Sequence, residues 1–264
     1  LLIVNVYRNL HEWRAARASM TGDIGFVPTM GALHEGHASL ILRCREENDE
    51  AVLSIYVNPT QFNDSADLEN YPGVTDTDLA LADDLGVDAV LMPNYKDLYP
   101  EDFRFRVDET MFSRELCGRH RPGHFTGVLT IVLKLFNLVQ PRRAYFGEKD
   151  YQQLLLIRDM CAALFVDVDI VPCATMREAD GLAMSSRNAL LDGPARALAP
   201  RFHELLVADL DDGTVSKQLA AAGFEVDYVE TRDGRRFGAV SVVSRRSSVR
   251  LIDNVSRTVE ENCQ

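Results

Sequence analysis

Two histidines carry the first chemical signal in this chain. His34 and His37 stand three residues apart, with Gly36 directly before the second, in the run Val27-Pro28-Thr29-Met30-Gly31-Ala32-Leu33-His34-Glu35-Gly36-His37. The apolar residues 24–27 read as a buried strand that breaks at Pro28 and Gly31, and the amphipathic run from Leu40 reads as a helix. Strand, tight turn and helix start follow one another, so both imidazoles fall on the first helical turn. A helix N-terminus holds unpaired N–H groups and the positive end of the helix dipole, which suits a phosphate. Imidazoles placed there can hydrogen-bond phosphate oxygens whose charge rises during transfer. Gly36 lets a nucleotide lie close to the backbone. The same pair also admits a zinc reading, against which no cysteine pair or acidic partner stands at ligand spacing, and the reading of a plain helix cap.

Three further segments carry polar groups directly after a strand or a glycine. Asn58-Pro59-Thr60-Gln61-Phe62 brings amides that both donate and accept, which suits a substrate with hydroxyl and carboxylate groups. Gly147-Glu148-Lys149-Asp150 opens a helix; Lys149 is a point charge for phosphate, and Gln153 lies one helical turn beyond it. Gly181 precedes Met184-Ser185-Ser186-Arg187-Asn188, a donor-rich loop. Each also reads as an ordinary turn or surface loop when taken alone. Arg121-Pro122-Gly123-His124-Phe125 stands between two readings, a pyrophosphate contact and a subunit contact. Trp13 and the stretch 11–20 read as core packing.

The histidine block resembles the His-x-Gly-His signature of the adenylating nucleotidyltransferase superfamily and, in its longer form, the pantoate–β-alanine ligase family. Three more blocks agree in order and spacing: Ser54-Ile-Tyr-Val-Asn-Pro-Thr-Gln-Phe62, Tyr145-Phe-Gly-Glu-Lys-Asp-Tyr-Gln-Gln153 and Asp180-Gly-Leu-Ala-Met-Ser-Ser-Arg-Asn188. The match is strong over about residues 1–190 and weak over 224–254. It implies an ATP-dependent ligase that forms an amide through an acyl-adenylate. His34, His37 and Lys149 are then the catalytic candidates. Met30, Gly31, Ala32, Leu33, His34, Glu35, Gly36, His37, Gly147, Glu148, Lys149, Asp150, Met176, Met184, Ser185, Ser186 and Arg187 are candidates for ATP, and Asn58, Gln61 and Gln153 for pantoate or β-alanine. The resemblance further implies Mg²⁺ arriving with ATP, no assigned metal ligands, and a homodimer. Two other hypotheses are a nucleotidyltransferase that leaves the nucleotide on its product and a non-catalytic ATP-binding module. Departures from the pattern are Gly73 and Val74 after Tyr71-Pro72, Leu81, a shortened stretch at 200–224, and no glycine before Arg250-Leu-Ile-Asp-Asn254.

The elements that must position these residues alternate. Residues 24–27, 52–57, 89–92, 143–146 and 166–171 read as strands, and 38–47, 76–85, 128–139 and 151–164 as helices by their period. Such alternation predicts a Rossmann-like α/β domain, a parallel sheet with helices on both faces, over 1–175. Ligands of such sheets sit beyond the carboxyl ends of the strands, where three of the four motifs fall. From 176 to 264 the pattern predicts a small α+β lid domain, with helices at 194–207 and 215–222 and two antiparallel strands. With 264 residues, 46% of them hydrophobic, the chain can fill these cores. A net charge of −12 argues against nucleic acid. It also means that a site for two anions must gather its own cations. No apolar run reaches the ~18–20 residues that span a bilayer. The first residues lack a secretory pattern, and five scattered cysteines never form C-x-x-C, so a cytoplasmic setting without membrane attachment is expected.

Overall fold

A computed structural model of the chain describes residues 4–69, 71, 73, 76–245 and 247–257. Pro72, Val74 and one of the five cysteines, Cys263, lie outside the described residues. Two compact units are present, Leu1–Ala174 and Thr175–Gln264.

The first unit is a six-stranded parallel sheet: β1 (Asn5–Tyr7), β2 (Ile24–Thr29), β3 (Glu50–Ile55), β4 (Ala89–Leu91), β5 (Arg143–Gly147) and β6 (Asp169–Cys173), in the order β1-β4-β3-β2-β5-β6. Side chains alternate across it. Ile24, Phe26, Val52, Leu91, Ala144 and Phe146 join one core with Trp13 and the helix His124–Val139. Val27, Leu53, Ile55, Val90 and Tyr145 join another with Ile41 and Leu79. Burial on both faces is why the strands read as unbroken apolar runs. The chain leaves β2 for β3 on one side and returns to β5 on the other. The topological switch point therefore lies between β2 and β5. There the two strands pair only at Gly25–Arg143 and Phe26–Ala144, then diverge. The space beyond the carboxyl ends of these two strands is the position where such sheets hold ligands.

That divergence corrects the expected end of β2. The strand does not break at Pro28 but runs to Thr29, paired with β3 throughout. The Ile24 carbonyl accepts from Arg142 on the β5 side and the Thr29 carbonyl from Tyr56 on the β3 side. The period of two puts the Pro28 nitrogen on the β5 side, beyond the last paired residue, where no N–H is needed. The strand expected at 166–171 is also displaced, to Asp169–Cys173. Phe165 takes a left-handed φ of 55° and Val166 N–H returns to the Cys161 carbonyl, so residues 165–168 serve to leave the helix.

In the second unit the single helix expected at 194–207 is two, Gly193–Leu198 and Pro200–Val207, because Pro200 cannot continue the ladder. The two expected strands are three in an antiparallel sheet: β7 (Glu225–Arg232), β8 (Arg235–Ser244) and β9 (Ser247–Ser256). Val249, Leu251, Asp253 and Val255 are the buried row of β9. A buried aspartate in that row hid the strand from a reading of apolar periodicity.

Candidate active site

The first motif is a turn held from below. Thr29 Oγ1 donates to the Ser54 carbonyl at 2.8 Å and accepts Gly31 N–H at 3.3 Å. Gly31 (φ 80°) and Ala32 (φ 50°) are both left-handed and reverse the chain. The N–H groups of Ala32 and Leu33 then donate to Oδ2 and Oδ1 of Asp78 at 3.1 and 2.7 Å. Asp78 is 3% exposed on the helix Asp76–Asp84. The sequence reading missed it. Its signal was an aspartate on the face that also buries Leu79 and Ala82.

The helix Glu35–Glu47 starts three residues before the expected 38 and packs on β2, β3 and β5. His34 is its N-cap. His34 Nδ1 accepts from Gly36 N–H at 3.1 Å, and His37 Nδ1 accepts from His34 N–H at 3.3 Å, a reciprocal box with histidine at both corners. A ring nitrogen that accepts carries no proton, so each neutral ring is protonated at Nε2. The ring centroids lie 4.1 Å apart. Burial, then the charges of His34 and Lys149, push the His37 pKa down to about 3. His37 is therefore a neutral Nε2–H donor at pH 7. Lys149, on the short turn Glu148–Asp150 after β5, is 19% exposed at its side chain and lies 3.7 Å from the Asp150 carboxylate. The histidine block and Lys149 thus follow the two strands that flank the switch point.

The third motif turns into the same region. The turn Pro59–Gln61 follows β3, and Gln61 Nε2 reaches Met30 Sδ at 3.1 Å. Asn58 is 1% exposed. Its Nδ2 donates to Gln61 Oε1 (3.1 Å) and the Gly127 carbonyl (3.3 Å), while its Oδ1 accepts from Tyr99 and Thr60, both at 3.0 Å. Both ends of the Asn58 amide are taken by the protein, which fits a support for Gln61 better than the substrate contact expected from sequence. Gln153 is half-buried on the first turn of the helix Tyr151–Ala163. Its neighbour Gln152 is a scaffold residue, bonded to Cys117 N–H and to the carbonyls of Phe112 and Glu115.

Met176, Met184, Ser185, Ser186 and Arg187 belong to the second unit. Their loop is tied at its base. Arg177 pairs with Ala183 in a β-bridge and grips Asp253 at 2.6 and 3.0 Å. Burial alone would raise the Asp253 pKa, but hydrogen bonds from His203 and Arg177 outweigh it and hold the carboxyl below its usual range. Asn188 Nδ2 donates to Glu178 Oε1 and the Ala183 carbonyl. Ser185 Oγ accepts Arg187 N–H at 3.3 Å. Met184 to Arg187 form the tip between these anchors.

The sequence profile described as Pantoate-beta-alanine ligase matches residues 2–256. The pantothenate synthetase of Bdellovibrio bacteriovorus is 50% identical over 253 residues, 96% of this chain and 99% of its own. That of Coxiella burnetii is 42% identical over 262 residues, covering 99% of this chain and all of its own, 100%. The crystal structure of pantoate-beta-alanine ligase from Francisella tularensis, complexed with beta-gamma ATP and beta-alanine, superposes with a TM-score of 0.90 at 37% identity, covering 96% of this chain and 97% of its own. Pantothenate synthetase from Thermus thermophilus gives 0.84 at 38% identity, covering 96% and 99%. The family profile spans nearly the whole chain and relatives of this identity are matched over almost all of both partners, so the chain belongs to the pantoate–β-alanine ligase family.

Proposed function

We infer that the enzyme condenses pantoate with β-alanine at the expense of ATP, through a pantoyl-adenylate, releasing AMP and pyrophosphate. The observation that carries this reading is the pair of Nε2–H donors, His34 and His37, fixed by the backbone N–H groups of Gly36 and His34 at a helix N-terminus beside the β2–β5 switch point. The pantoate carboxylate attacks the α-phosphorus of ATP. Negative charge builds on the phosphoryl oxygens, and neutral imidazole N–H groups donate to it without a proton having to move. Lys149 supplies local positive charge for the phosphates in a chain of net charge −12. The amine of β-alanine then attacks the acyl carbon and AMP leaves.

The remaining assignments are proposals of the same reading. Gln61 and Gln153 bind pantoate, with Asn58 holding the Gln61 amide. Residues 30–37 and 147–150, with Met176, Met184, Ser185, Ser186 and Arg187, bind ATP. Residues 1–175 form the nucleotide- and pantoate-binding domain, and 176–264 a lid. Mg²⁺ is taken to enter on the triphosphate as part of the substrate, with no protein ligand assigned to it. No helix among the described residues is long and apolar enough to cross a membrane. A homodimer in the cytoplasm remains part of the proposal.

Product analysis with ATP, pantoate and β-alanine tests the reaction. Free AMP and a new amide are expected in equal amounts. A nucleotide left on the product, or ATP binding without turnover, would overturn the reading.

A further inference from the structure

Arg121 and His124 converge on one atom, the carbonyl oxygen of Gln61. His124 Nδ1 lies 2.7 Å from it and Arg121 Nη2 3.3 Å. A carbonyl only accepts, so His124 Nδ1 carries a proton. Arg121 Nη1 stands 3.1 Å from His124 Nε2, and a guanidinium only donates, so Nε2 accepts. His124 is thus the neutral Nδ1–H tautomer, the opposite of His34 and His37. The residue is 8% exposed. One turn further along the same helix, a Cβ on Gly127 would come within 2.4 Å of the Thr60 carbonyl, so helix and loop touch backbone to backbone. The Gln61 peptide is therefore held by His124 and Arg121, and its side chain by Asn58.

We propose that His124 and Arg121 are positioning residues for substrate recognition: they lock the Gln61 peptide so that its side-chain amide is preset for the hydroxy-acid substrate. This rests on the reading that Gln61 binds pantoate. Gln61 Nε2 presently rests on the Met30 thioether, a weak acceptor that a hydroxyl or carboxylate oxygen readily replaces. A preset amide spares the substrate the ordering cost of the loop, so the clasp acts on pantoate affinity rather than on ATP.

The test uses the full chain with Gln61→Ala, His124→Leu and His124→Asn. An asparagine Nδ2 can stand where the imidazole Nδ1–H stood and keep the bond to the carbonyl. His124→Leu should raise the pantoate KM about tenfold, the equivalent of one hydrogen bond near 1.4 kcal/mol. Its kcat and its calorimetric affinity for ATP should stay within about twofold of the parent. His124→Asn should recover most of the loss. Arg121→Met supplies the same comparison, with a smaller shift, should His124→Leu fail to fold. The proposal falls if Gln61→Ala raises the pantoate KM while His124→Leu and Arg121→Met do not. It also falls if pantoate and ATP weaken together, or if asparagine is no better than leucine. A Gln61→Ala variant with unchanged pantoate KM overturns the underlying reading and this proposal with it.

Discussion

Asp78 offers the most direct test of how the turn before the two histidines is built. Gly31 and Ala32 both sit at positive φ, and for Ala32 that conformation costs about 1–2 kcal/mol. The two bonds from Ala32 and Leu33 to the Asp78 carboxylate oppose this cost. A bond to a charged acceptor contributes about 1.5–3 kcal/mol, so the pair outweighs the strain. Asp78→Ala would strand both N–H groups, a loss of up to ~3–6 kcal/mol if the turn stayed in place. The turn is half-buried and can move toward water, so we expect a stability loss of about 2–4 kcal/mol. The remainder appears as lost order. His34 follows Leu33 directly, and a shift of ~1 Å in such a group costs about 10²-fold in rate. Asp78→Asn keeps one acceptor but turns an amide N–H toward the other donor, so it should fall between. Urea unfolding measures the first quantity. Single-turnover pyrophosphate release, at saturating ATP and pantoate and where each variant is fully folded, measures the second. If both variants unfold within 0.5 kcal/mol of the parent, the ~1.5 kcal/mol floor for one such bond fails. If they also release pyrophosphate at the parent rate, the turn is not held by Asp78.

His34→Ala and His37→Ala should each slow pyrophosphate release by roughly 10²–10³-fold with little change in pantoate affinity, and a parent-like rate in both would remove them from the mechanism. Stability should fall with acid because of His37. Its folded pKa of about 3 lies below the ordinary 6.5, so below pH 6.5 the unfolded chain binds a proton that the folded chain refuses. Stability is then lost as pH falls toward 3, at a slope of at most about 1.4 kcal/mol per unit from this group, and His37→Gln should flatten the curve between pH 6 and 4.5. In the second unit, Arg236 is 2% exposed and binds Asp212 Oδ1 and the carbonyls of Leu206, Ala208 and Leu210. Arg236→Lys cannot serve all four acceptors and should cost about 3–5 kcal/mol by calorimetry; a loss under 1 kcal/mol would mean that water replaces the guanidinium.

Much of the first unit was legible in the sequence because its signals are local. A strand buried on both faces writes a continuous apolar run, a helix writes a period near 3.6, and polar motifs at strand ends place a site at the sheet edge. The histidines at a helix start, Lys149 after β5 and Gln61 after β3 were visible this way. What stayed hidden depends on partners far along the chain. Pro28 fits inside β2 because β5 diverges after Phe26. Asp253 fits in the buried row of β9 because Arg177, 76 residues earlier, neutralises it. Asn58 faces inward because Tyr99 and Gly127 take its amide. The sequence by itself determined the element types of most of the first unit and the chemical groups that follow its strands, since periodicity and turn chemistry act between near neighbours. Only the tertiary structure decided which polar groups meet water or substrate and which are consumed as supports. It also set which nitrogen of each histidine bears the proton, since a buried donor or acceptor takes its state from whatever partner the fold brings within about 3 Å.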